Sequence, residues 1–108
     1  MRVLIFYTVT MYRNKTDEIS SISSILACEN NANNVSSFII EMLTKAELET
    51  LSKRWQILKM LANGTTQRAI AKELNVSLCK VTRGSQILKK KNSIVCQYLA
   101  KENNNECK

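Results

Sequence analysis

Residues 66–83, TQRAIAKELNVSLCKVTR, constrain the fold more than any other stretch of the 108-residue chain. Ile70, Ala71 and Leu74 share one face of a short helix, at three- and four-residue spacing. Ala71 is small, so a second helix can cross it closely. Asn75 stands where the turn must be, and asparagine is one of the few non-glycine residues that tolerates a positive φ. Val76 plugs the corner, and Ser77 can cap the next helix through its side-chain oxygen. Val81 and Leu88 then face inward, which leaves Cys79, Lys80, Thr82 and Arg83 on or near the outer side. Two helices joined by so short a turn form a helix-turn-helix over about residues 66–90, and its second helix suits a DNA major groove. Two core helices of an ordinary bundle share this apolar spacing, but the basic and hydroxylic outer residues favour the DNA reading.

The charge distribution points the same way. The net charge is +7, but residues 1–43 carry three basic and four acidic side chains, whereas residues 44–91 carry eleven basic and three acidic. The basic excess coincides with the helix-turn-helix and its flanks, as expected of a surface that meets a polyanion. A solvated lysine-rich face is the bland alternative. The chain has no proline and two glycines, Gly64 and Gly84. That composition suits helices joined by short turns and predicts an all-α fold of six short helices. The four cysteines, with no histidine and no Cys-x-x-Cys spacing, speak against a metal site. The apolar run at residues 3–9 is too short to span a membrane, no secretion signal stands out, and a cytoplasmic location follows as the expectation. With no histidine, phosphate loop or paired acids beside a nucleophile, no enzymatic activity is expected.

Residues 1–16 read as an N-terminal extension. Residues 3–7 form a strand-like run with no partner, either an extra strand, a disordered arm or upstream sequence ahead of a start at Met11. A helical domain follows over residues 17–102. Its first helix spans 17–29, with Ile19, Ile22, Ile25 and Leu26 apolar. A polar break at 30–34 leads to a second helix at 35–43, with Phe38, Ile39 and Met42 apolar. Thr44 and Glu47 form a capping box, and Leu48, Leu51, Trp55, Leu58 and Ala62 then make one stripe, with Trp55 read as a packing residue. Asn63-Gly64 closes that helix. Thr65 or Thr66 caps the next. The outward-facing second helix of the pair spans about 78–90, and Asn92 or Ser93 caps a last helix with Ile94, Val95, Tyr98 and Leu99. Residues 103–108 form a polar tail. These stripes outnumber the partners one short chain supplies, so a homodimer is expected, presenting two reading helices to successive major grooves.

Thr82-Arg83-Gly84-Ser85, at this place in the second helix of the pair, resembles the tryptophan repressor family. Met42-Leu43-Thr44 opening a long helix, Arg54 within it, Gly64 closing it and Gln67-Arg68 extend the likeness over about residues 42–89. The resemblance implies an intertwined all-helical homodimer that acts as a transcriptional repressor on operator DNA, with L-tryptophan as corepressor. It places the indole between Arg54 and Arg83, one of which reaches the carboxylate; guanidinium planes stack on aromatic faces and also bind carboxylates. Gly84 would let the indole approach the backbone. The Thr44 hydroxyl would help hold the carboxylate, backbone carbonyls near Glu41 and Leu43 would receive the ammonium, and Leu58 would form an apolar wall. Taken by spacing alone, Arg54 is a surface charge and Arg83 a phosphate contact.

The chain departs from the family pattern at three points. Lys45 replaces a proline, Glu41 replaces an apolar residue and could attract the ammonium, and Arg83-Gly84-Ser85-Gln86-Ile87-Leu88 replaces Arg-Gly-Ser-Asn-x-Leu. Ile87 stands where a serine contacts the ligand's amino group, and a branched apolar side chain cannot make that contact. For DNA, Gln67 and Arg68 suit phosphate contact at a helix N-terminus. Leu78, Cys79, Lys80 and Thr82 suit the groove, with Lys72, Lys89, Lys90 and Lys91 as general electrostatic contacts. The competing readings are a DNA-binding regulator of the same fold with a degenerate pocket, a detached transposase or recombinase domain, and a helical interaction module with an incidental basic face.

Overall fold

The computed structural model describes residues 15–103, all of whose regular structure is helical. The strand-like run at 3–7, most of the N-terminal extension and the tail beyond 103 lie outside the described residues. The chain divides into two compact units, Met1–Leu43 and Thr44–Lys108.

In the first unit, α1 spans Lys15–Ala27 and α2 spans Ala32–Met42. The break between them is shorter than its asparagines suggest. The Asn31 side chain accepts from the Asn33 N–H at 2.8 Å and caps α2, so Asn33 and Asn34 belong to the helix. Ile22, Leu26, Val35, Phe38 and Ile39 are half-buried, while Ile19, Ile25, Ile40 and Met42 are exposed. Helix α2 has no fully buried side chain.

The second unit holds α3 (Lys45–Ala62), α4 (Gln67–Leu74), α5 (Leu78–Lys89) and α6 (Ile94–Asn103). Thr44 starts α3 with both halves of a capping box. Its Oγ1 accepts from the Glu47 N–H at 3.1 Å, and Glu47 Oε1 accepts from the Thr44 N–H at 2.8 Å. Asn63 and Gly64 end the helix, Gly64 at φ +92°, where a side chain would be strained. Thr66 caps α4 by accepting from the Ala69 N–H at 3.2 Å. The helix-turn-helix corner forms as its residues dictate. Asn75 adopts φ 56°, ψ 51°, Val76 packs on the core, and Ser77 Oγ accepts from the Lys80 N–H at 3.3 Å. Asn92 is, with Asn75, the second non-glycine residue at positive φ among the described residues, 59°, and the buried Ser93 accepts from the Cys96 N–H at 3.1 Å to start α6.

Helix α3 packs against α4, α5 and α6. The core is Ile57, Ile70 and Val81, ringed by Met60, Leu61, Ala71, Leu74 and Val76. Leu58 and Leu99 are also buried. This corrects the stripe read along α3. Ile57, absent from that stripe, is 2% exposed, whereas Leu51 and Trp55 are 43% and 38% exposed, and Ala62 is exposed. Helices α4 and α5 pack their core residues on the C-terminal half of α3, so burial concentrates there: Leu58 of the stripe is buried beside Ile57, while Leu51 and Trp55 stay outside. Trp55 is therefore not a core residue of the chain.

Candidate ligand cleft and nucleic-acid interface

Two helices create the cleft. Thr50, Lys53, Arg54 and Ile57 of α3 face Lys80, Arg83, Gly84 and Ile87 of α5 across a narrow opening of about 50 Å³. The lining follows helical spacing on both sides. Thr50 and Ile57 lie four residues before and three after Arg54; Lys80 and Ile87 lie three before and four after Arg83. Arg54 and Arg83, far apart in sequence, are thus brought to one site, and both are exposed. Four of the eight lining residues are cationic and none is acidic. The cleft therefore attracts anions, and its guanidinium groups can both grip a carboxylate and stack on a flat ring.

Gly84 serves two surfaces. It lines the cleft, but its buried Cα faces α3. A Cβ there would stand 2.9 Å from Ile57 Cγ2, 3.2 Å from Leu61 Cδ1 and 3.6 Å from Leu58 Cδ2. Glycine is required for α5 to lie this close to α3. Leu58, expected as an apolar wall, is buried and absent from the lining, and Ile57 lines the cleft instead. Thr44, at the far end of α3, does not line the cleft, and its Oγ1 caps the helix. Glu41 and Leu43 belong to the first unit, Glu41 exposed and Leu43 half-buried. Thr50 and Lys53 were not anticipated; Thr50, four residues before Arg54, shares its face, whereas Lys53, directly before Arg54, carries no such spacing signal. Lys80, expected to meet DNA, lines the cleft as well.

The outer face of the helix-turn-helix carries the expected DNA-contacting side chains. Arg68 and Lys72 on α4, and Leu78, Cys79, Lys80 and Thr82 on α5, are exposed, as are Lys89, Lys90 and Lys91; Gln67 is half-buried. The Thr82 hydroxyl donates to Gln67 Oε1 at 3.1 Å. That bond joins the start of α4 to α5 through the Gln67 oxygen and leaves its amide N–H groups as donors, the polarity a phosphate oxygen needs. Cys28, Cys79 and Cys96 are free thiols. Among the described residues no cluster of histidine, cysteine or acidic side chains could hold a metal ion, and no helix is long and apolar enough to cross a membrane.

Comparison with known proteins agrees with this architecture. Residues 17–103 match the Trp repressor protein family. Trp operon repressor homologs from Xylella fastidiosa strains M23 and Temecula1 are each 35% identical over 79 residues, 72% of this chain and 72% of theirs. No solved structure matches significantly. With six helices among the described residues, a helix-turn-helix and a family match over most of its length, the chain belongs to the Trp repressor family of DNA-binding transcriptional regulators.

Proposed function

We propose that this repressor acts as a homodimer on operator DNA and that L-tryptophan, bound between α3 and α5, is its corepressor. The observation that carries the reading is the meeting of Arg54 and Arg83 across one cleft whose apolar walls are Ile57, Gly84 and Ile87. An indole stacks between the guanidinium groups, and its carboxylate is held by the surrounding cations. At about 50 Å³ the opening is narrower than an indole needs, so the exposed arginine side chains move apart to admit it. A ligand bridging α3 and α5 sets the angle at which α5 is presented. It can tighten DNA binding only to the extent that it binds that arrangement better than others. Exposed apolar side chains in both units, among them Ile40, Met42, Leu51, Trp55 and Ile94, supply the surface a second copy would cover. Gln67 and Arg68 contact phosphates, Leu78, Cys79, Lys80 and Thr82 enter the groove, and Lys72, Lys89, Lys90 and Lys91 add general attraction.

A second reading keeps the repressor and removes the corepressor. It is favoured by Ile87, which lines the cleft where an amino-group acceptor is needed, and by the lack of any acidic lining residue. Thr50 supplies the one side-chain hydroxyl in the lining, the only side-chain acceptor there for an ammonium. Operator affinity with and without saturating L-tryptophan separates the two. Coupling of ordinary size gives roughly 5–150-fold tighter binding with the ligand. Equal affinities, with no heat of tryptophan binding in calorimetry, leave the repressor without its corepressor.

A further inference from the structure

One hydrogen bond ties the helix-turn-helix to α3 through a side chain. Lys53 Nζ donates to the Leu74 carbonyl at 3.2 Å, in a partly buried setting twenty-one residues away in sequence. Leu74 is the last residue of α4, directly before the left-handed Asn75. Its carbonyl belongs to the last turn, where no following helical N–H remains to pair with it. The Asn75 and Val76 N–H groups both go to the Ala71 carbonyl instead. The negative end of α4 is thus closed by a cation supplied from another helix, the charge-assisted kind of bond that is stronger than a neutral one. Lys53 also lines the cleft beside Arg54. One side chain therefore touches both the ligand site and the corner of the helix-turn-helix.

We propose that Lys53 is a positioning residue that holds the helix-turn-helix on α3 in its DNA-binding orientation before any ligand arrives. The bond raises the population of the competent arrangement in the ligand-free protein. It therefore raises ligand-free operator affinity and leaves a bound corepressor less to gain. The ligand-dependent half of this statement rests on the tryptophan reading above; the ligand-free half does not.

The test uses the full chain and an operator fragment obtained by in vitro selection. Lys53→Met keeps most of the aliphatic stem and removes the donor and charge; Lys53→Arg keeps a donor and charge. Lys53→Met should weaken ligand-free operator binding roughly 5–10-fold, the low end of the usual range of such couplings, and Lys53→Arg should restore most of it. The slope of log affinity against log salt should match the unmodified protein, because Lys53 spends its charge on a carbonyl and not on a phosphate. Amide exchange at Asn75 and Val76 should quicken in Lys53→Met while Ile57 and Val81 stay protected, which separates a loosened corner from a failed fold. Saturating tryptophan should narrow the gap between Lys53→Met and the unmodified protein. Unchanged ligand-free affinity overturns the proposal. So does a loss accompanied by a slope shallower by about 0.9, the mark of a missing phosphate contact. If tryptophan affects neither protein, the corepressor reading fails alone, and the ligand-free comparison still decides the role of Lys53.

Discussion

Gly84→Ala separates two reasons for a glycine in α5. If Gly84 serves only to let a ligand approach the backbone, alanine is harmless to the fold. Mid-helix, it should even stabilise by about 1 kcal/mol, because glycine is the poorer helix former. The structure gives the opposite sign. The new Cβ would stand 2.9 Å from Ile57 Cγ2 and 3.2 Å from Leu61 Cδ1. Ile57 is 2% exposed and β-branched, so its methyl group cannot swing away, and either its rotamer or the α3–α5 spacing must give. Overpacking of this kind costs ~1–3 kcal/mol. Set against the helix-propensity gain, the net effect is a loss of about 1 kcal/mol, which lowers the melting midpoint by roughly 4–8 °C in a domain near this size. Denaturant unfolding at fixed protein concentration measures it. A double-mutant cycle with Ile57→Ala, which removes Cγ2, should show favourable coupling of about 1–2 kcal/mol. Operator binding should fall as well, because α5 carries both Lys80 and Arg83 away from α3. A Gly84→Ala protein that is more stable than its parent, with no coupling to Ile57, would refute the close approach of the two helices.

Asn75 sits at φ 56°, ψ 51°, so Asn75→Gly should change unfolding stability by less than about 0.5 kcal/mol while Asn75→Val costs ~1–2 kcal/mol. Arg68→Ala should weaken operator binding with the fold intact and make the log–log salt slope shallower by about 0.9; an unchanged slope in a salt titration would remove Arg68 from the phosphate contacts. Trp55, the chain's one tryptophan and 38% exposed, should become shielded from iodide quenching if dimerisation covers its face, and dilution below the dimer dissociation constant should restore quenching.

The local architecture was legible because short-range rules decide it. Thr44 with Glu47, Thr66, Ser77 and Asn63-Gly64 mark helix ends through bonds formed within a few residues, and the structure forms each. Asn75 announces the corner for the same reason: its left-handed backbone needs only a tolerant residue. The helix-turn-helix and its basic outer face follow from that. Arg54 and Arg83 were paired through family likeness, since no spacing rule links residues on different helices. Tertiary structure alone decided which face of α3 is inside. Leu51 and Trp55 fit an apolar stripe as well as Ile57 does, but of the α3 side chains only Ile57 and Leu58 are fully buried, with Met60 and Leu61 packed beside them on the core. The packing of α5 on α3 also put Ile57, and not Leu58, on the cleft wall and set Gly84 against Ile57 and Leu61. Lys53 reads as one more surface cation in the sequence; its bond to the Leu74 carbonyl exists because α4 ends beside α3. Periodicity counts apolar positions around a helix, whereas burial depends on where another helix crosses, and that crossing is set by contacts between residues distant in the chain.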